Sequence, residues 1–294
     1  MPRSGILACV TVLEVIQRSS DFLARKGIDS PRLQSELLVA HVLQMPRMKL
    51  YLNFERALAA AELEALRHLV KRRATREPLQ HILGSVSFCG LELAVTGDVL
   101  IPRPETELLA EKAWRFLSGF SSEPSSVLDF GTGSGCLAIV IAVKCPLATV
   151  HAVDISQVAL EVARQNAARH GVAQRVQFHA GDGLAAVPDG RHFDLIVSNP
   201  PYIPSAEIPT LQLEVRDHEP LLALDGGPDG LEYHRRLASG AGPLLTSRGK
   251  LMLELGDGQS HAVSDLLASH GWQVESVERD DAARERILIA RLSD

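Results

Sequence analysis

The chain has 294 residues, more than one ordinary domain, with 46% hydrophobic and 22% charged residues, which excludes a disordered polymer and permits a large core. Its net charge of −6 is unevenly spread: residues 1–85 hold 13 Lys and Arg against 8 Asp and Glu, and residues 86–294 hold 17 against 28. An acidic main body is repelled by duplex nucleic acid, so direct DNA binding is not expected.

Residues 10 to about 75 read as helices. Leu13, Val15, Ile16, Phe22 and Leu23 recur at helical spacing, and Leu33, Leu37, Leu38 and Val42 do so further on. Ser30-Pro31 reads as an N-cap followed by proline at the first helical position. Ala59 to Leu69 reads as a third helix. The run with Lys71, Arg72, Arg73 and Arg76 reads as a solvated helix face, with contact to a charged partner as the alternative. Residues 1–85 are therefore expected to be a small helical domain. Val86 to Val95 forms two short apolar stretches around Gly90, a hairpin that, with its flanks (86–100), is read as the linker. Pro102 and Pro104 punctuate the chain before a helix from Glu107 to Leu117.

From Ser125 strand and helix alternate, the pattern of a doubly wound, mostly parallel α/β sheet. The expected strands are 126–130, 148–153, 175–179, 193–198, 249–254, 272–278 and 286–292. The expected helices are 134–144, 156–169, about 229–239 and 259–269. No helical pattern separates the last two strands, so the final one is expected to be antiparallel, at or near the sheet edge. Residues 101–294 thus read as one Rossmann-like, seven-stranded domain.

Asp129-Phe130-Gly131-Thr132-Gly133-Ser134-Gly135 is strand end, tight turn and helix start. Such a loop lies at the carboxyl end of its strand, where ligands bind in open α/β sheets. Its G-x-G-x-G spacing is one residue shorter than the dinucleotide fingerprint, and Asp129 would repel a pyrophosphate but accept a hydrogen bond from an ammonium group. Asp154 ends the next strand, where a carboxylate can accept hydrogen bonds from ribose hydroxyls. Asp182 and Gly183 follow the third strand and would border an adenine. Together these residues outline adenosine joined to an amino acid, which is S-adenosylmethionine.

After the fourth strand come Asn199, Pro200, Pro201 and Tyr202. A planar NH2 on an amide or an adenine is a weak nucleophile, because its lone pair is delocalised. Two acceptors holding its two hydrogens would orient it, and the Asn199 side-chain oxygen and Pro200 carbonyl are suited to that. The prolines restrict the backbone that aims them. Tyr202 offers a flat face to the planar group. Catalysis would then be chiefly positioning for methyl transfer.

The chain resembles the release factor glutamine methyltransferases over nearly its whole length. The resemblance rests on Arg76-Glu77-Pro78-Leu79-Gln80-His81-Ile82-Leu83-Gly84, Leu100-Ile101-Pro102-Arg103-Pro104-Glu105-Thr106-Glu107, the glycine loop and Asn199-Pro200-Pro201-Tyr202. His218-Glu219-Pro220 and Gly226-Gly227-Pro228-Asp229-Gly230-Leu231 also fit it. It implies a helical N-terminal domain that docks a peptide chain release factor, and a catalytic domain that methylates the glutamine of the factor's Gly-Gly-Gln loop. Asn199 to Tyr202 would hold that glutamine, and Glu105 and its neighbours would wall the pocket. Asp281-Ala282-Ala283-Arg284 departs from the pattern, with alanine where the family has glycine.

Two other readings share some of these features: an adenine-N6 methyltransferase acting on DNA or RNA, and a non-catalytic module that binds release factor or ribosome. The four cysteines (Cys9, Cys89, Cys136 and Cys145) form no C-x-x-C pair, and the 11 histidines show no ligand spacing, so a reducing compartment and no metal are expected. Met1-Pro2-Arg3 begins neither a cleavable signal nor an Arg- and Ser-rich leader. The uncharged stretch Phe130 to Val143 is broken by glycines and too short to span a bilayer. The expectation is a cytoplasmic monomer.

Overall fold

The computed structural model describes residues 10–120 and 123–293. Cys9 and the Met1-Pro2-Arg3 start lie outside the described residues. The chain divides into two compact units, Met1–Gly84 and Ser85–Asp294.

The first unit contains α1 (Val12–Arg25), α2 (Pro31–Val42), the short α3 (Arg47–Leu50), α4 (Ala60–Ala74) and the short α5 (Leu79–Leu83). Thr11 and Glu14 close a capping box at the start of α1, and Val12, Val15, Ile16 and Leu23 turn one stripe of that helix into the core. At α2 the expected cap is absent. Ser30 is left-handed (φ 46°) and its side chain makes no capping bond, so Pro31 alone sets the start. Two features correct the solvated basic face. Arg73 is only 4% exposed, donating to Gln34 Oε1 at 2.6 Å and to the Glu77 carbonyl at 3.1 Å, and Arg72 pairs with Glu77. The buried Glu36 accepts hydrogen bonds from Arg32, Arg47 and Tyr51. Burial raises the Glu36 pKa, but these three donors outweigh it and hold the carboxyl below its usual range.

The second unit opens with the hairpin β1 (Ser85–Phe88) and β2 (Leu91–Ala94). Its two-residue turn has positive φ at both Cys89 (49°) and Gly90 (79°), which matches the right-handed twist of the strands. The hairpin lies within this unit. Asn166 accepts from Ala94 N and donates to the Ala94 and Ser134 carbonyls, and Glu107 accepts from Cys89 N.

There follow α6 (Pro104–Ser118), β3 (Ser125–Phe130), α7 (Cys136–Lys144), β4 (Ala148–Asp154), α8 (Gln157–Arg169), β5 (Val176–Ala180) and β6 (Phe193–Ser198). The chain ends with the short α9 (Leu213–Arg216), α10 (Glu232–Gly240), β7 (Leu245–Glu254), α11 (Ser260–Ser269), β8 (Trp272–Arg279) and β9 (Glu285–Leu292). The seven-stranded sheet runs β5-β4-β3-β6-β7-β9-β8, parallel from β5 to β7. β9 is antiparallel and inserts between β7 and β8, so β8 is the edge strand. Val127, Leu195, Val197 and Met252 face a core with α6 and α7, and Leu128, Ile196, Leu251 and Leu253 face a second core with α10 and α11. The α/β class with a mostly parallel seven-stranded sheet is as expected from the alternating pattern.

Among the boundaries that differ from the sequence reading, α4 runs on to Ala74, and two in the second unit have a clear local cause. The α6 helix begins at Pro104, because proline at the first helical position gives up only an N–H that has no helical partner. β7 begins at Leu245, with Gly249 inside it beside a register shift opposite Phe193–Leu195. A Cβ at Gly249 would meet the Phe193 carbonyl oxygen at 2.8 Å, so this glycine allows close backbone approach and does not end the strand.

In the turn before β9, Ala283 adopts φ 61°, a left-handed conformation that favours glycine. Asp280 holds the turn by accepting from the Ala282 and Arg284 backbone N–H groups. Replacing Ala283 by glycine is expected to raise stability by about 1 kcal/mol by relieving that strain. Denaturant unfolding checks this, and a midpoint that stays put or falls would contradict it.

Candidate active site

The carboxyl ends of β3, β4, β6 and β7 carry Asp129, Asp154, Asn199 and Glu254. Glycines make the first part of the site. Gly131 (φ 73°) and Gly133 (φ 53°) line a cavity at these strand ends, and a Cβ built on either meets no protein atom within 4 Å. Gly135 (φ 82°) has a different task. A Cβ there would lie 2.9 Å from Ile139 Cδ1 and 3.0 Å from Ala163 Cβ, so its absence lets α7 pack against α8. Two glycines open the loop to a ligand, and the third closes the helix contact.

Asp129 is buried. Its Oδ2 accepts from Thr132 Oγ1 at 2.6 Å and from Ala138 N at 3.2 Å, while Oδ1 has no hydrogen-bond partner. Burial pushes its pKa up to about 7 against the pull of those two donors, with the Asp154 charge adding to the rise. Asp154 lines the cavity and braces the loop, Oδ2 accepting from Gly133 N and Oδ1 from Ser156 N, each at 2.8 Å. An ionised carboxylate has about four acceptor sites, so further bonds fit on it. Burial raises the Asp154 pKa, opposed by the backbone donors.

Asp182 and Gly183 also line the cavity, and Asp182 pairs with Arg236 at 2.6 Å. Val99, Leu100, Ile155 and Leu222 supply apolar wall. Thr132 and Ser134 are buried and do not line this cavity: the Thr132 hydroxyl bonds Asp129, and the Ser134 carbonyl accepts from Asn166.

Asn199 and Pro201 line the same cavity. Asn199 Nδ2 donates to Thr106 Oγ1 at 3.0 Å. Among the described residues, neither Asn199 Oδ1 nor the Pro200 carbonyl accepts a hydrogen bond from the protein. The loop is held from behind. Gln259 Nε2 donates to the Tyr202 carbonyl at 2.9 Å, and a Cβ at Gly226 would lie 2.8 Å from both Tyr202 Cα and the Gly230 carbonyl oxygen. The glycines of 226–231 therefore let that segment press directly on the backbone of Tyr202. The Tyr202 hydroxyl points to Glu254 Oε1 at 3.4 Å, and burial, then the Glu254 charge, raises its pKa.

Glu105 lies elsewhere. It accepts from Arg284 at 3.1 Å and lines a neighbouring cavity with Cys89, Glu107 and Asp280. Its neighbour Thr106 is the residue that touches Asn199. Sequence reading includes Thr106 in the motif from Leu100 to Glu107 without a role of its own, and it does not single out Glu254. The one signal for Thr106 was proline as a helix start, which places Thr106 on the first turn of α6.

Gly135→Ala is expected to lower stability by about 2–4 kcal/mol, since overpacking adds to backbone strain. Gly133→Ala carries the strain alone, about 1–2 kcal/mol. Equal losses in thermal unfolding would contradict the division of roles among the glycines.

Comparison with known proteins bears on this geometry. Residues 14–84 match the family profile described as PrmC N-terminal domain, and residues 112–213 match that of the methyltransferase small domain. The release factor glutamine methyltransferase of Geobacter sulfurreducens is 43% identical over 282 residues, spanning 96% of this chain and 97% of that protein. The release factor glutamine methyltransferase of Chlorobaculum tepidum is 48% identical over 265 residues, 88% of this chain and 90% of its own. A methyltransferase structure from Pyrococcus furiosus shares the fold, with a TM-score of 0.51 at 22% identity over 69% of this chain and 90% of that one.

Proposed function

Because the chain belongs to the release factor glutamine methyltransferase family, we propose that it methylates the side-chain amide nitrogen (N5) of the glutamine in a release factor's Gly-Gly-Gln motif. The observation that carries this reading is a pair of adjacent unpartnered acceptors, Asn199 Oδ1 and the Pro200 carbonyl, in a segment whose Asn199 and Pro201 line the cavity. A primary amide presents two hydrogens on one nitrogen, and two fixed acceptors take both. Holding those hydrogens sets the nitrogen's orientation and favours pyramidalisation, which returns the lone pair to the nitrogen.

S-adenosylmethionine, when bound, supplies a methyl group activated by a positive sulfur. The residues lining the cavity, and those directly behind them in the loop, fit that molecule in parts. Gly131 and Gly133 leave room for close approach, and Thr132, Ser134 and Gly135 shape the loop from behind. Asp129 Oδ1 is a buried acceptor suited to an ammonium, and Asp154 retains acceptor capacity for ribose hydroxyls. Asp182 and Gly183 would border the adenine, and the backbone at Asn199 would complete the wall.

Pro200 and Pro201 lock the backbone that aims the two acceptors, and Tyr202 presents its ring to the planar amide. The chain's work is then positioning, worth several orders of magnitude when reacting atoms are held in line. The alkylated amide nitrogen is acidic enough to lose its proton without a dedicated base. Docking of the release factor falls to the helical unit, residues 14–84, where Arg18, Arg67 and Lys71 surround an apolar groove with Phe22 and Leu63. Glu105 would wall the glutamine pocket only from the neighbouring cavity.

Asn199→Ala is expected to lower turnover on release factor by about 100-fold or more, leaving S-adenosylmethionine affinity within about twofold. Asp154→Ala is expected to do the reverse, weakening cofactor binding by about tenfold or more. Calorimetric binding together with methylation assays separates the two. Lost cofactor binding in the Asn199 variant, or tight NAD binding by the parent, would overturn the assignment.

A further inference from the structure

The two ends of an asparagine amide have nearly the same shape, so the backbone that places Asn199 does not decide which end faces the cavity. Thr106 does. A hydroxyl has one proton, and Thr106 Oγ1 directs it to Glu254 Oε2 at 2.7 Å. Its lone pairs alone remain for Asn199, and only Nδ2 can use them, at 3.0 Å. Oδ1 is therefore left for the substrate. The relay is sealed from solvent: Glu254 and Thr106 are each only 1% exposed.

We propose that Glu254 and Thr106 are positioning residues that select the Asn199 amide orientation, so that an ionised Glu254 makes Asn199 an acceptor and a protonated Glu254 makes it a donor. This rests on the reading of Asn199 as the group that holds the substrate NH2. With a proton on Oε2, Glu254 donates to Thr106 Oγ1. The hydroxyl then gives its own proton to Asn199, which turns Oδ1 inward to receive it. The Asn199 NH2 now faces the cavity, and it meets the substrate NH2 donor to donor.

The groups facing Glu254 come from several elements. Thr106 and Glu105 lie on α6, Tyr202 follows β6, Arg286 is on β9 and Cys136 on α7, while His234 Nε2 of α10 lies 3.2 Å from the Glu254 carbonyl oxygen. Burial pushes Glu254 up to about 7. The Thr106 bond, Arg286 and Tyr202 oppose that rise, and the Glu105 charge adds to it. The sign follows: a raised carboxyl is ionised only above its pKa. Turnover is therefore full above about pH 7 and falls as pH drops through that value. Asp129, also raised to about 7, would act through cofactor affinity, so saturating S-adenosylmethionine isolates the Glu254 limb.

The test is kcat for release factor methylation from pH 5.5 to 9 at saturating S-adenosylmethionine, in the parent, Thr106→Val, Thr106→Ser, Glu254→Gln and Asn199→Ala. Thr106→Val keeps the shape and removes the hydroxyl. Its kcat is expected to fall about 10- to 100-fold with cofactor affinity unchanged, and Thr106→Ser to recover most of that loss. Glu254→Gln is expected to lose the acidic limb altogether, since no proton is left to bind there. A parent-like kcat in Thr106→Val, or an acidic limb unchanged in Glu254→Gln, would overturn the relay. If Asn199→Ala is itself fully active, the reading of the substrate site fails first. An inactive Asn199→Ala beside an active Thr106→Val would defeat the relay alone.

Discussion

A parallel sheet covered on both faces leaves few places for a polar side chain to act. In this protein β3, β4, β6 and β7 bury apolar residues towards α6 and α7 on one side and α10 and α11 on the other. Charged groups are pushed to the strand ends, and the two ends differ. Near the amino end of β6, Asp194 is bound by Ser126 N, Thr246 and Arg248, whose donors overcome burial and keep its pKa below the usual range. Its capacity is spent on holding the fold. At the carboxyl ends, Asp129 keeps an unpartnered oxygen and Asp154 is met only by backbone N–H groups. Burial raises both carboxyls, and their unused acceptor capacity lies at the carboxyl ends of neighbouring strands, with Asp154 lining the cavity there.

That arrangement was legible wherever the chemistry lies within a few residues of a strand end. The loop from Asp129 to Gly135, Asp154 and the box from Asn199 to Tyr202 could all be read, because turn glycines, a strand-terminal acid and consecutive prolines are local signals. What joins them was not legible. Thr106 bonds both Asn199 and Glu254, which stand 93 and 148 residues further along the chain, and no periodicity records such a meeting. Pro104 reads equally as a break or as a helix start, and only the second places Thr106 on the first turn of α6. The adjacent Glu105 is the more conspicuous residue in sequence, yet its carboxylate is engaged by Arg284.

The helical unit gives a parallel lesson about charge. Lys71, Arg72 and Arg73 read as a continuous basic face, yet Arg73 turns inward to Gln34 and Glu77, and Arg72 pairs with Glu77. A charge run counts ionisable groups without saying which are already neutralised. The same holds for the motif Arg76 to Gly84, whose Glu77 is a partner inside this unit. In contrast, the turn before β9 shows its strain in the backbone itself, because Ala283 adopts the left-handed conformation that favours glycine.

The glutamine assignment is tested most directly by transfer of labelled methyl from S-adenosylmethionine to purified release factor, with its Gly-Gly-Gln glutamine intact or replaced by alanine. Label on the intact factor and none on the alanine form is the predicted result. It would establish cofactor, reaction and target residue together. Label absent from both forms and present on DNA would mean that Asn199 and Pro200 hold an adenine, and would contradict the assignment.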